Sequence, residues 1–196
     1  MKVVVYGSSS KATPDAYTSA ARVLGRELAK RGHVCVNGAG ANGVMGALNE
    51  SCKQAGGRVR GVCHAMFVDG AITQLFDGME LIQVSGSGLA ERKAELARGA
   101  HCFIALPGGP GTWDELWEAA CARQLGIDQT GPVVLVNTSG YYDGFVMQLK
   151  RAHEDGLLHK PPDEFLTVVD DPIAALDWCE AHAGDEAAKA DVVVGA

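Results

Sequence analysis

The chain has 196 residues, 47% of them hydrophobic and 21% charged, a globular composition with ample length for a buried core. Its 17 Lys and Arg against 24 Asp and Glu leave a net charge of −7, which argues against long nucleic acid as a partner but leaves a small phosphate ligand open, because backbone dipoles hold such groups locally. No apolar run reaches membrane-spanning length, so no membrane partner is expected.

The opening MKVVVYGSSS has an apolar run too short for a signal peptide and reads as a first strand, Val3–Tyr6. Thr13-Pro14-Asp15 follows as an N-cap, a first-turn proline and a first-turn acid, and Gly32 closes the helix that they open. Further strands are predicted at Val34–Asn37, Val59–Cys63, Leu81–Val84, Cys102–Leu106, Val133–Asn137 and Phe165–Val169. Their apolar runs are continuous, as expected where helices cover both faces of a parallel sheet. Helical patterns fall near 43–55, 88–98, 113–126, 141–155 and 172–182. This alternation predicts an α/β fold: a Rossmann-like, doubly wound, mostly parallel sheet of about seven strands with helices on both faces. Residues 1–183 read as a single nucleotide-binding domain and 184–196 as a tail, flexible or packed on a neighbour.

The cysteines Cys35, Cys52, Cys63, Cys102, Cys121 and Cys179 are scattered without a CxxC pair. They read as reduced thiols of a cytoplasmic protein. The six histidines show no metal spacing, so neither a metal nor another cofactor is expected. Two Asn-x-Ser/Thr triplets, at Asn49 and Asn137, carry no meaning without secretion.

Glycine-rich turns follow three of the predicted strands: Gly7-Ser8-Ser9-Ser10, Gly38-Ala39-Gly40-Ala41-Asn42-Gly43 and Pro107-Gly108-Gly109-Pro110-Gly111-Thr112. Parallel sheets bind ligands beyond the carboxyl ends of their strands, where glycines let the backbone approach and helix N-termini favour an anion. Gly38–Gly43 matches G-x-G-x-x-G, yet it follows the second strand and no ribose-binding acid stands about 20 residues on. A tight turn and a phosphate-lining turn both fit it better than a redox dinucleotide site. The turn at 107–112 lacks the Gly-Lys-Ser/Thr of a P-loop.

Thr112 and Glu115 form T-x-x-E, a capping-box pattern, while Glu115 also lies off the apolar stripe of Trp113, Leu116, Trp117, Ala120 and Cys121. Structural and catalytic roles for Glu115 are both open on this reading. On the helix near 88–98, Lys93 falls within the stripe of Leu89, Leu96 and Ala100, with Arg92 at its edge. Such cations need a counter-charge or ligand, or they snorkel to solvent.

Taken together, these segments resemble the LOG family of cytokinin riboside 5′-monophosphate phosphoribohydrolases, long mislabelled as lysine decarboxylases. Leu106–Glu115 matches PGGxGTxxE; Gly88–Lys93 resembles S-M-H-x-R-K; Asn42–Gly46 resembles the GLMG turn; and Gly7-Ser8-Ser9 resembles the first-strand turn. Gln124-Leu125-Gly126 and Gly140-Tyr141-Tyr142-Asp143 also fit, in order, from residue 2 to about 158. The resemblance implies catalysis by Arg92 and Glu115, with the 5′-phosphate held by Gly108, Gly109, Gly111 and Thr112 together with Gly7 and Ser8. It places Leu89, Glu91, Lys93 and Gly43 toward base and ribose, and implies a homodimer. The implied reaction is hydrolysis of the N-glycosidic bond of an adenine-type nucleoside 5′-monophosphate, giving free base and ribose 5-phosphate. The molybdenum cofactor carriers, similar in fold and glycine turns, supply a non-catalytic alternative. A pyridoxal-dependent decarboxylase finds no supporting lysine context. Ala39, Tyr6, Gly88, Leu89 and Ala90 depart from the family pattern, which bears on base preference.

Overall fold

The computed structural model describes residues 1–69, 74–126 and 131–183. Seven strands, β1 (Lys2–Tyr6), β2 (Val34–Asn37), β3 (Arg58–His64), β4 (Glu80–Val84), β5 (Cys102–Ala105), β6 (Val133–Val136) and β7 (Thr167–Val169), form one sheet in the order β4-β3-β2-β1-β5-β6-β7. Every strand pairing is parallel. The chain winds outward from β1 to β4, crosses back, and resumes at β5 on the other side of β1. The strand order therefore reverses between β1 and β5, and parallel sheets open a ligand crevice at such a point.

Side chains alternate across the sheet, so each central strand feeds two cores. Val3 and Val5 face the helices α1 (Asp15–Lys30), α2 (Gly43–Gln54) and α7 (Pro172–His182), with Leu24, Leu48 and Leu176 buried between. Val4 and Tyr6 face α4 (Ala90–Ala97), α5 (Pro110–Leu125) and α6 (Asp143–Glu154), with Leu96, Leu116 and Tyr142 buried there. The doubly wound architecture expected from the sequence is present.

Local differences have local causes. Thr13 does not cap α1: its hydroxyl donates to Ser10 O at 2.7 Å and meets Ser8 Oγ at 2.8 Å, bracing the first glycine turn instead. Gly32 closes α1 in the left-handed region, φ +72°, as expected. α5 starts at Pro110 behind Gly109, earlier than its apolar stripe suggests, because proline fits a first helical turn. Phe165 and Leu166 precede β7 and are buried against the α6 face without joining the ladder. A short helix, α3 (Ala65–Asp69), has no periodic signal at five residues. The expected tail at 184–196 lies outside the described residues.

A buried amide pair positions the second glycine turn. Asn37, at the end of β2, donates through Nδ2 to Asn49 Oδ1 at 2.6 Å and accepts Ala39 N at 2.9 Å. Asn49 in turn donates to Gly40 O at 3.1 Å, and both side chains are fully buried. Asn49→Ala strands buried donors and acceptors. It is expected to lower stability by about 1–3 kcal/mol in urea denaturation, whereas Glu50→Ala, one residue away on the exposed face, is expected to stay within about 0.5 kcal/mol.

Candidate active site

A cavity of about 350 Å³ opens at the reversal between β1 and β5. Ser8, Ser9 and Ser10 border it on one side, and Gly109, Pro110, Gly111 and Thr112 on another. Met45, Phe67 and Leu89 give it an apolar wall, while Arg92 and Glu115 supply its charge. The turns are joined at their base, where Ser8 N donates to Pro107 O at 3.1 Å.

Arg92 comes from α4 and Glu115 from α5. Arg92 Nη1 lies 2.8 Å from Glu115 Oε1, with only 14% and 11% of the two side chains exposed. Arg92 Nε donates to Val62 O on β3 at 3.2 Å, fixing the guanidinium plane. Gly38 sits directly against Arg92 Nη2, so a side chain at 38 would collide with the guanidinium. Burial pushes the Glu115 carboxyl above its ordinary value; the charge and hydrogen bond of Arg92 oppose that rise. Beneath the pair, the Tyr6 phenol is pushed well up by burial, with Glu115 and Glu118 adding to the rise and Arg92 opposing it. Glu115 thus has a charge partner rather than a capping role. α5 carries no side-chain cap, and Glu115 lies beyond its first turn, so the T-x-x-E pattern is not a capping box here.

The remaining sequence-predicted residues divide between the cavity and its supports. Gly7, Ser8, Leu89, Gly109, Gly111 and Thr112 border the cavity. Gly108 lies behind it, against the Thr112 side chain and Ser8 N. Gly43, at φ +61°, packs on the carbonyls of Ser8 and Ser10 and so holds the first turn from outside. Glu91 sets its carboxylate over Gly86. Lys93 neither snorkels nor borders the cavity: its ammonium bonds Asp114 at 3.1 Å and pairs with Glu118, both on α5. These carboxylates raise its affinity for the proton, Glu118 foremost.

Met45, Cys63 and Phe67 also border the cavity and were not among the sequence-predicted site residues; Tyr6, noted in the sequence only as a departure from the family pattern, borders it as well. Tyr6 stands at a strand end just before a glycine turn, the position that brings it to the cavity. Phe67 sits on the unpatterned α3 and offered none. Among the described residues, no group of three or more His, Cys, Asp or Glu is gathered as a metal set.

The family described as "Possible lysine decarboxylase" matches residues 45–179. The cytokinin riboside 5′-monophosphate phosphoribohydrolase LOG5 of Arabidopsis thaliana is 40% identical over 167 residues, covering 85% of this chain and 71% of that protein. The chain belongs to the LOG family. The LOG protein of Oryza sativa subsp. japonica, named as the same activity, is 39% identical over 158 residues, or 80% of this chain and 63% of that protein. Among solved structures, the molybdenum cofactor carrier protein of Chlamydomonas reinhardtii matches with a TM-score of 0.65 and 25% identity, covering 92% of this chain and 99% of that one. The molybdenum cofactor binding protein of Rippkaea orientalis, at 19% identity and a TM-score of 0.68, shares the fold over 92% of this chain and 96% of its own.

Because the Arg92 charge opposes the burial effect on Glu115, its removal has a definite sign. Arg92→Gln is expected to move the Glu115 titration further upward, as followed by carboxyl NMR of protein labelled at glutamate.

Proposed function

We propose that the chain hydrolyses the N-glycosidic bond of an adenine-type nucleoside 5′-monophosphate, releasing free base and ribose 5-phosphate. The observation that carries this reading is the buried Arg92–Glu115 pair facing a cavity whose other wall is made of glycine turns at a helix N-terminus. The names of the LOG relatives support it. The turn at Gly109–Thr112 offers backbone N–H groups and the positive end of α5 to a phosphate. Held there, the phosphate positions the ribose, so remote binding energy serves the reacting centre.

Cleavage of an N-glycosidic bond develops positive charge on the ribosyl carbon and oxygen. In this mechanism the ionised Glu115 stabilises that cation and accepts a proton from the attacking water. Arg92 opposes the effect of burial on the carboxylate, and its guanidinium orients the substrate and offsets negative charge on the departing base. The proton that Glu115 takes from water passes on to that base, restoring the carboxylate. Base and ribose then lie toward Met45, Phe67 and Leu89. No lysine borders the cavity among the described residues, and Lys93 is held away by Asp114 and Glu118, which weighs against amine chemistry of the decarboxylase kind.

A second reading, non-catalytic holding of a phosphorylated cofactor, draws on the likeness to the Chlamydomonas carrier. Incubation with AMP and with N6-isopentenyl AMP, followed by chromatography of free base, separates the two. Release of base is expected, with adenosine poorer by orders of magnitude in kcat/KM. Absence of base from both nucleotides favours the carrier reading.

Glu115→Gln is expected to reduce turnover by roughly 10²-fold or more while the circular dichroism spectrum is kept. The ionised form is the active one and burial raises its titration against the opposing Arg92 charge, so activity is expected to be lost, as pH falls, at a higher pH than for an ordinary glutamate.

We also propose a cytoplasmic homodimer, with residues 1–183 as the nucleotide-binding unit. Leu89 and Leu125, at the start of α4 and the end of α5, are 39% and 50% exposed. Trp113 and Trp117 spend part of their surface on Phe145, at ring distances of 5.7 and 5.3 Å. Light scattering at micromolar concentration is expected to give twice the mass of one chain; a monomer mass rejects the dimer.

A further inference from the structure

Two adjacent tyrosines reach back from the segment before α6 to the turn between β5 and α5. The Tyr142 hydroxyl donates to Leu106 O at 2.8 Å, and the Tyr141 hydroxyl donates to Gly108 O. The Tyr141 ring is held edge-on between Tyr17 of α1 and Tyr142, with centroids 5.4 and 4.8 Å away. The pair is anchored in turn by Asn137, whose Oδ1 accepts Tyr142 N at 2.7 Å and whose Nδ2 donates to Asp143 at 2.8 Å. A third carbonyl of the same turn, Pro107 O, accepts from Ser8 N.

Fixing a carbonyl also aims an N–H. All described peptide bonds are trans, and in a trans unit the C=O and N–H point in opposite directions. The unit joining Leu106 to Pro107 has no N–H to aim. The unit joining Pro107 to Gly108 turns its carbonyl to the β1 turn, so the Gly108 N–H points away from it; Gly108 is correspondingly absent from the cavity lining. The unit joining Gly108 to Gly109 turns its carbonyl to Tyr141, so the Gly109 N–H points away from Tyr141. Gly109 borders the cavity and Tyr141 does not.

We infer that Tyr141 is a positioning residue for phosphate recognition: its hydroxyl pins the Gly108 carbonyl so that the Gly109 N–H faces the cavity as a phosphate donor. Tyr142 steadies the same turn but aims no donor. This inference rests on the reading of the turn at 107–112 as the phosphate site.

The test measures dissociation constants by calorimetry for ribose 5-phosphate, D-ribose and adenosine, together with Tm, in the wild-type protein, Tyr141→Phe, Tyr142→Phe and Gly109→Pro. Tyr141→Phe is expected to weaken ribose 5-phosphate about tenfold, the scale of one charge-assisted hydrogen bond, and to leave adenosine within about twofold. With AMP, KM is expected to rise about tenfold while kcat changes less than about threefold. Tyr142→Phe is expected to lower Tm while keeping the wild-type ratio of ribose 5-phosphate to adenosine affinity. Gly109→Pro deletes the same N–H directly and is expected to reproduce the selective loss, so the question stands even where Tyr141→Phe does not fold. Equal weakening of both probes in Tyr141→Phe, or unaltered ribose 5-phosphate binding in either Tyr141→Phe or Gly109→Pro, overturns the inference. Wild-type protein that fails to prefer ribose 5-phosphate over D-ribose overturns the phosphate reading itself and the inference with it; that failure is told apart by appearing before any substitution.

Discussion

The adjacency of β1 and β5 at the centre of the sheet is the constraint on which the rest depends. These strands are far apart in sequence, yet their register, Val3 to Cys102 through Tyr6 to Ala105, brings their ends level. Level ends put the turn after Tyr6 beside the turn after Leu106, and the hydrogen bond from Ser8 to Pro107 closes the joint. Every group of the site is then placed relative to this joint. α4 brings Arg92 across from the β3 side, and α5 carries Glu115 from the β5 side. A carboxylate and a guanidinium this deeply buried would each carry a large desolvation cost alone. Together, with Val62 O taking a further guanidinium hydrogen, that cost is offset where the pair faces the cavity.

Around this joint several side chains hold the turns in place. Asn37 and Asn49 fix the turn after β2, Thr13 and Ser8 brace the turn after β1, and Tyr141 and Tyr142 hold the turn after Leu106. Glycine turns place backbone dipoles well but are costly in conformational freedom. Polar side chains behind them remove that freedom before any ligand arrives, which is the condition for tight recognition by backbone groups. Lys93 belongs to the same class of support. Bridging Asp114 and Glu118, it ties α4 to α5 one residue along from the Arg92–Glu115 pair.

Much of this was legible in the sequence because both signals involved are local. Continuous apolar runs such as Val133–Val136 mark buried parallel strands, and glycine turns at their ends mark the ligand edge. Lys93 stood out as a cation on an apolar helix stripe, with Arg92 at the stripe's edge, while Glu115 was singled out by the PGGxGTxxE resemblance rather than by helix periodicity. What escaped notice depends on tertiary partners. Thr13 reads as a cap, but its hydroxyl is taken by the turn of Ser8 and Ser10. Glu115 fits a capping box only if the helix begins after Thr112; α5 begins at Pro110, which leaves Glu115 past the first turn and free to meet Arg92 from α4. Lys93 resembles a ligand contact until Asp114 and Glu118 come within reach. Phe67 could not be singled out, since α3 is too short to show a period and its importance comes only from where β3 ends.

The cavity also ties together the two windings of the sheet. Its Met45 and Cys63 wall belongs to the winding from β1 to β4, while Gly109, Thr112 and Glu115 belong to the winding from β5 onward, and Arg92 rides on the crossover between them. Neither half of the chain can assemble the pocket alone. Pairing β5 to β1 joins residues about a hundred positions apart, a contact that is slow to find because the intervening loop must close first. Until β5 pairs with β1, the turn after Leu106, Arg92 and Glu115 are not held together around one cavity. Any ligand that spans the two windings engages only the finished molecule, so it draws the population toward completion by mass action.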